Sequence, residues 1–159
     1  VAVVAAVSSL AVPSFEGLRT QRALDGIAAQ LKTDIHLARS EAVARNQPVR
    51  LTFGTQTQGS CYMLHTGERS ACRCSITEPA RCDGDAQLLR SVSVDANQPV
   101  QIRSAVGSIL FDPVKGTATP TATLRVVATD GRAVHQVVNL LGRVRSCTPG
   151  GKSAGYKAC

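Results

Sequence analysis

The amino-acid sequence predicts an α+β fold: one long N-terminal α-helix, apolar and then amphipathic, packed on an antiparallel β-sheet and stapled by disulfides. Three observations predict it. Apolar residues recur at three and four positions between Leu24 and Ala42, apolar and polar residues alternate after Pro48, and the chain contains 6 Cys. With 159 residues, 43% hydrophobic and 18% charged, the chain suits one domain with a buried core and excludes a disordered or collagen-like polymer.

The helix comes first. Leu24, Ile27, Ala28, Leu31, Ile35, Ala38 and Ala42 form one stripe, and Arg22, Asp25, Lys32, Asp34, Arg39, Glu41 and Arg45 take the remaining positions. The pattern stops at Asn46, Gln47 and Pro48, where the proline disfavours helix in the residue before it. Upstream, Val1 to Val12 is apolar apart from Ser8 and Ser9 and ends at Pro13. That stretch reaches about 18 Å as a helix, short of a bilayer core of about 30 Å. It reads either as the remnant of a secretory signal or as the second part of a longer transmembrane helix. The second reading is preferred, because no basic segment or Ala-x-Ala site accompanies it and the helical pattern resumes directly after Pro13. One helix kinked or loosened at Pro13 is expected.

Strands follow. Val49 to Phe53, Cys61 to His65, Leu88 to Val94, Val100 to Arg103 and Ser108 to Phe111 are short alternating runs between Gly, Pro, Asn and Asp clusters. A hairpin is expected between Thr121 and Leu141, turning at Asp130 and Gly131. The segment from Gly67 to Ala86 is loop-like and cysteine-rich, as in a stapled surface insertion.

An even set of cysteines, Cys61, Cys72, Cys74, Cys82, Cys147 and Cys159, points to disulfides formed in an oxidising compartment. Zinc is the competing reading, with Cys61, His65, Cys72, Cys74 and Cys82 as possible ligands, but the paired Cys-x2-Cys knuckles are missing. Cys72 and Cys74 are too close to bond each other and are expected to pair with Cys61 and Cys82 in some order. Cys147 with Cys159 is then the remaining bridge, tethering the C-terminal tail.

Charge narrows the function classes. The net charge is +7, and the excess is concentrated after Pro120, where Arg125, Arg132, Arg143, Arg145, Lys152 and Lys157 face Asp130 alone. Such a surface attracts polyanions: nucleic acid, anionic lipid or acidic protein. Catalytic signatures fail in context. Gly151, Lys152 and Ser153 end like a phosphate-binding loop, yet Ser146 stands where its first glycine belongs. Gly151 to Gly155 has the spacing of a hydrolase elbow with no room after it for the His and Asp. His36, His65 and His135 stand apart, so no enzyme, metal or cofactor is expected.

Three stretches together resemble the GspH/FimT family of type IV pilin-like proteins. They are Leu10-Ala11-Val12-Pro13-Ser14-Phe15, the run Ala38 to Asn46 followed by Pro48-Val49-Arg50-Leu51, and Gly142-Arg143-Val144-Arg145 before Cys147. The resemblance implies a minor pilin or type II secretion pseudopilin. Such a precursor is cut by a prepilin peptidase, methylated at its new N-terminus, held in the Gram-negative inner membrane with a periplasmic head, and assembled with other pilins through its helix. Residues 1–46 would be that helix, with 1–13 in the membrane or filament core and 14–46 amphipathic, and 47–159 the β-rich head with its basic tail. FimT-like members resemble this chain at Gly-Arg-x-Arg, which implies double-stranded DNA binding during natural transformation through Arg143 and Arg145. In an extended segment the two arginines project to one face about 6.7 Å apart, and Gly142 would let the backbone approach a phosphate closely. Lys152 and Lys157 would extend the patch. Binding of this kind is weak, sequence-independent and salt-sensitive.

Overall fold

A computed structural model describes residues 2–151 and 153–159, with side chains from Phe15 onward. Helix α1 (Ala2–Arg45) runs unbroken through Pro13. Its end is set by geometry as well as by Pro48: Asn46 adopts φ 50°, its N–H reaches the Val43 carbonyl, and the Gln47 N–H reaches back to Ala42 at 3.2 Å. This left-handed cap satisfies carbonyls that the helix would otherwise leave bare.

Eleven strands follow: β1 (Val49–Gln56), β2 (Gly59–Thr66), β3 (Cys72–Arg73), β4 (Arg81–Cys82), β5 (Leu88–Asp95), β6 (Val100–Ser104), β7 (Ser108–Phe111), β8 (Ala118–Thr119), β9 (Ala122–Ala128), β10 (Ala133–Val138) and β11 (Val144–Cys147). They form not one sheet but two, ordered β5-β2-β1-β7-β8 and β11-β10-β9-β6, with β3-β4 as a separate small ribbon. All the ladders between these strands are antiparallel.

Both large sheets face α1. Leu24, Ala28, Leu31, Ile35, Ala38 and Ala42 are fully buried against Leu51, Tyr62, Leu64, Ile109, Leu124, Val126 and Val134, and Ile27 packs at the edge of this core. Each large aliphatic residue of the stripe contributes roughly 1.5–3 kcal/mol by leaving water. Asp34, expected on the polar side, is instead 1% exposed. It stands three residues after Leu31 and four before Ala38, which is the buried face.

On the five-stranded sheet Tyr62 and Leu64 point to the helix, so Cys61, Met63 and His65 point away, yet all eight β2 residues are buried. The segment Gly67 to Ala86 covers them. Cys61 is bonded to Cys74, Cys72 to Cys82, and a Cβ added to Gly54 would touch the Cys61 and Cys74 sulfurs. The insertion is thus a second layer over the sheet, a closer role than a surface loop. Beneath it the His65 Nε2 lies 2.8 Å from the Thr52 hydroxyl, and its Nδ1 lies 2.9 Å from the Thr66 carbonyl.

Candidate functional site

The β9–β10 and β10–β11 connections are built alike. In the first, the Gly131 N–H donates to the Ala128 carbonyl and the Ala128 N–H to Arg132; in the second, the Gly142 N–H donates to Asn139 and the Asn139 N–H to Arg143. Gly131 has φ 85° and Gly142 φ 68°, the left-handed position that closes a three-residue hairpin loop. Each loop therefore hands the chain on through a Gly-Arg pair, and the first loop is one residue longer than the Asp130-Gly131 turn expected.

The two arginines meet different fates. Arg132 pairs with the Asp130 carboxylate, which in turn holds that carboxyl below its ordinary pKa, and donates to the Gly17 carbonyl at 2.9 Å and to the Gln21 side chain. It pins the hairpin to α1. Arg143 is exposed, held at its backbone by the Asn139 side chain, whose Oδ1 accepts from the Arg143 N–H at 2.9 Å. Among the described residues its guanidinium has no acidic partner, and neither does that of Arg145.

Arg145 is also exposed, on the edge strand of the four-stranded sheet opposite Val137. Val144 between the two arginines packs against the core. Alternation therefore puts both guanidinium groups on the outer face, as the spacing predicted. Gly142 plays a different part from the one expected. It is buried, and a Cβ there would stand 3.0 Å from the Arg39 side chain and 3.1 Å from the Gly116 carbonyl. The close approach it permits is that of Arg39 from α1, which also lies against Gly116 between β7 and β8.

The tail is tied back as expected by the Cys147–Cys159 bridge, and Thr148 pairs with it through Lys157 and Cys159. Lys157 is exposed; Lys152 lies outside the described residues. Tyr156 leans on the core and on Asp25, so burial and that carboxylate raise its pKa, and its ring is not a free platform for base stacking. His135 sits beside Cys159, and burial followed by Arg125 lowers its pKa.

Register exposes what spacing alone did not. Arg125 on β9 stands directly opposite Arg103 on β6 and opposite His135 on β10. Arg103 and Arg125 are exposed and belong to the same outer face as Arg145. Their positions in alternating strands were legible, but the pairing of β6 with β9 was not.

The model of the family described as Type II transport protein GspH matches residues 28–142. The chain belongs to the GspH family. Its match begins within α1 and ends at Gly142, so Arg143 and Arg145 fall just past it. The fold of this GspH-family chain is that of type IV pilin-like proteins. The minor pilin FimU of Pseudomonas aeruginosa superposes with a TM-score of 0.58 at 20% identity, over 81% of this chain and 94% of FimU. The minor pseudopilin EpsH from the type 2 secretion system of Vibrio cholerae superposes with a TM-score of 0.54 at 12% identity, over 80% and 98%. No curated protein sequence matches the chain.

Proposed function

We propose that this GspH-family chain is a minor subunit of a type IV pilus-like filament that binds double-stranded DNA non-specifically through Arg143 and Arg145. The N-terminal helix supplies the assembly element. Phe15 is 67% exposed and Leu18 50% exposed, on a stretch of α1 that precedes Leu24, the first fully buried residue among those described. Apolar side chains left bare on a projecting helix are suited to the helices of neighbouring subunits, and the apolar residues before Pro13 to a membrane before assembly. Among the described residues no helix is long and apolar enough to cross a membrane. Anchoring would therefore need apolar helix beyond the described residues, and it is part of this proposal.

The observation that carries the DNA reading is the contrast between Arg132 and Arg143. Two loops of one design present a Gly-Arg pair; one arginine is neutralised at once, the other stands free beside a second free arginine. An unpaired arginine pair on one face of an edge strand grips successive phosphates.

A second reading is favoured by the family description and by EpsH: a pseudopilin of type II secretion without a DNA role. There the two arginines would guard the sheet edge against aggregation. Fluorescence anisotropy of a labelled duplex, titrated with the purified chain at two salt concentrations beside Arg143→Ala/Arg145→Ala, separates the readings. Micromolar binding that weakens with salt and loses about two units of salt slope in the variant supports DNA binding. Absence of binding at low salt leaves the pseudopilin reading.

A further inference from the structure

The outer face of the four-stranded sheet carries arginine on three of its four strands. Arg103, Arg125 and His135 lie on one rung across β6, β9 and β10, and the next outward-facing position on β10, Val137, stands opposite Arg145 of β11. No Asp or Glu occurs anywhere in these four strands. Among the described residues neither Arg103 nor Arg125 has a carboxylate partner, although both are exposed. Like charges directly opposite on a sheet repel, and among the described residues no ion pair offsets the repulsion.

From this arrangement we infer that the duplex contact is the whole outer sheet face, with Arg103 and Arg125 as further phosphate-binding residues. The inference rests on the polyanion reading of Arg143 and Arg145 and extends it. With strands about 4.8 Å apart and a rise of about 3.4 Å per residue, Arg125 lies roughly 12 Å from Arg145. Arg143 and Arg145 follow one another along the strand direction and hold one backbone; Arg103 and Arg125, side by side on one rung farther across the sheet, reach a phosphate of the opposite backbone across a groove about 6–12 Å wide. Two arginine pairs separated by about the width of a groove suit a duplex over a single strand, and a polyanion laid across them relieves the Arg103–Arg125 repulsion; the Cys147–Cys159 bridge stands on the same face beside His135. All of these contacts are to phosphate, so no base sequence is preferred.

The test is anisotropy with one labelled duplex and its single strand, at several salt concentrations, on the purified chain and three variants: Arg103→Ala/Arg125→Ala, Arg103→Lys/Arg125→Lys, and Arg143→Ala/Arg145→Ala. The alanine pair on β6 and β9 is expected to weaken duplex binding about tenfold and to lower the salt slope by about two units. The lysine pair should retain the slope, and thermal melting of both should be no lower than that of the unaltered chain. An unchanged salt slope in Arg103→Ala/Arg125→Ala, with binding lost in Arg143→Ala/Arg145→Ala, overturns the sheet-face inference and leaves the Gly-Arg-x-Arg reading standing. Loss in the first variant with none in the second overturns the motif reading and, with it, the contact shared between the two arginine pairs. Preference for the single strand also overturns a contact that spans both backbones.

Discussion

Asp34 of α1 accepts a hydrogen bond from the Tyr62 hydroxyl of β2 at 2.6 Å, and both side chains are buried. Arg90 of β5 completes the group, its Nε 2.9 Å from the other carboxylate oxygen. This is a polar tie between the helix and the five-stranded sheet, matched on the four-stranded sheet by the buried Gln136, whose Nε2 donates to the Ala28 carbonyl at 2.9 Å. Burial, followed by the hydrogen bond to Asp34, pushes the Tyr62 phenol far above its ordinary pKa and keeps it a donor.

Removing the shared acceptor strands a buried hydroxyl and unpairs Arg90. Asp34→Ala is therefore expected to lose about 3 kcal/mol of unfolding free energy, and Tyr62→Phe about 1 kcal/mol because Arg90 still holds the carboxylate. Urea denaturation of both variants checks the order. Equal losses would contradict a network centred on Asp34.

The same residue shows where sequence reading stopped. The helical stripe from Leu24 to Ala42, its end at Asn46 and the five short strands after it were legible because each follows from local periodicity and turn chemistry. The charge of Asp34 assigns it to the polar face, although its spacing to Leu31 and Ala38 places it inside. The division into two sheets, the covering of β2 by the Gly67 to Ala86 insertion and the Arg103–Arg125 rung depend on which strands pair. Pairing is a long-range outcome that a run of alternating residues does not encode. Gly142 was legible as a special backbone position, but the neighbour that exploits it, Arg39, is remote in sequence.

Stability should fall in mild acid. Burial pushes His65 below its ordinary pKa; the Thr66 carbonyl opposes this, and Arg50 adds to the lowering. The folded state thus binds a proton less readily than the unfolded chain. The contribution is complete above the unfolded value near 6.5 and is lost as pH falls from there through the lower folded value. His135, lowered by burial and Arg125, acts in the same direction. Urea midpoints at pH 7.5 and 5 should differ, and His65→Gln should shrink the difference. An undiminished difference in that variant would assign the effect elsewhere.

The three bridges bear on different layers. Peptide mapping without reduction should recover Cys61–Cys74, Cys72–Cys82 and Cys147–Cys159, with no free thiol after denaturation. Cys147→Ser/Cys159→Ser is expected to lose up to about 3 kcal/mol and to speed amide exchange in the tail, while leaving the insertion closed. Exchange speeding up equally over β2 would refute that separation.

Arg132 is expected to hold the N-terminal end of the packed helix. Its contacts to Gly17 and Gln21 lie just before Leu24, where burial begins. In Arg132→Ala, amide exchange should accelerate around Gly17 to Gln21 and stay slow from Leu31 onward. Uniform acceleration along α1 would mean the clamp is not local.

The central claim is that the free arginines Arg143 and Arg145 serve DNA capture and leave assembly untouched. The most direct measurement compares filament number and DNA uptake in cells whose only copy of this chain carries Arg143→Ala/Arg145→Ala. Filaments at the unaltered level with uptake abolished is the predicted result. Uptake at the unaltered level would contradict it.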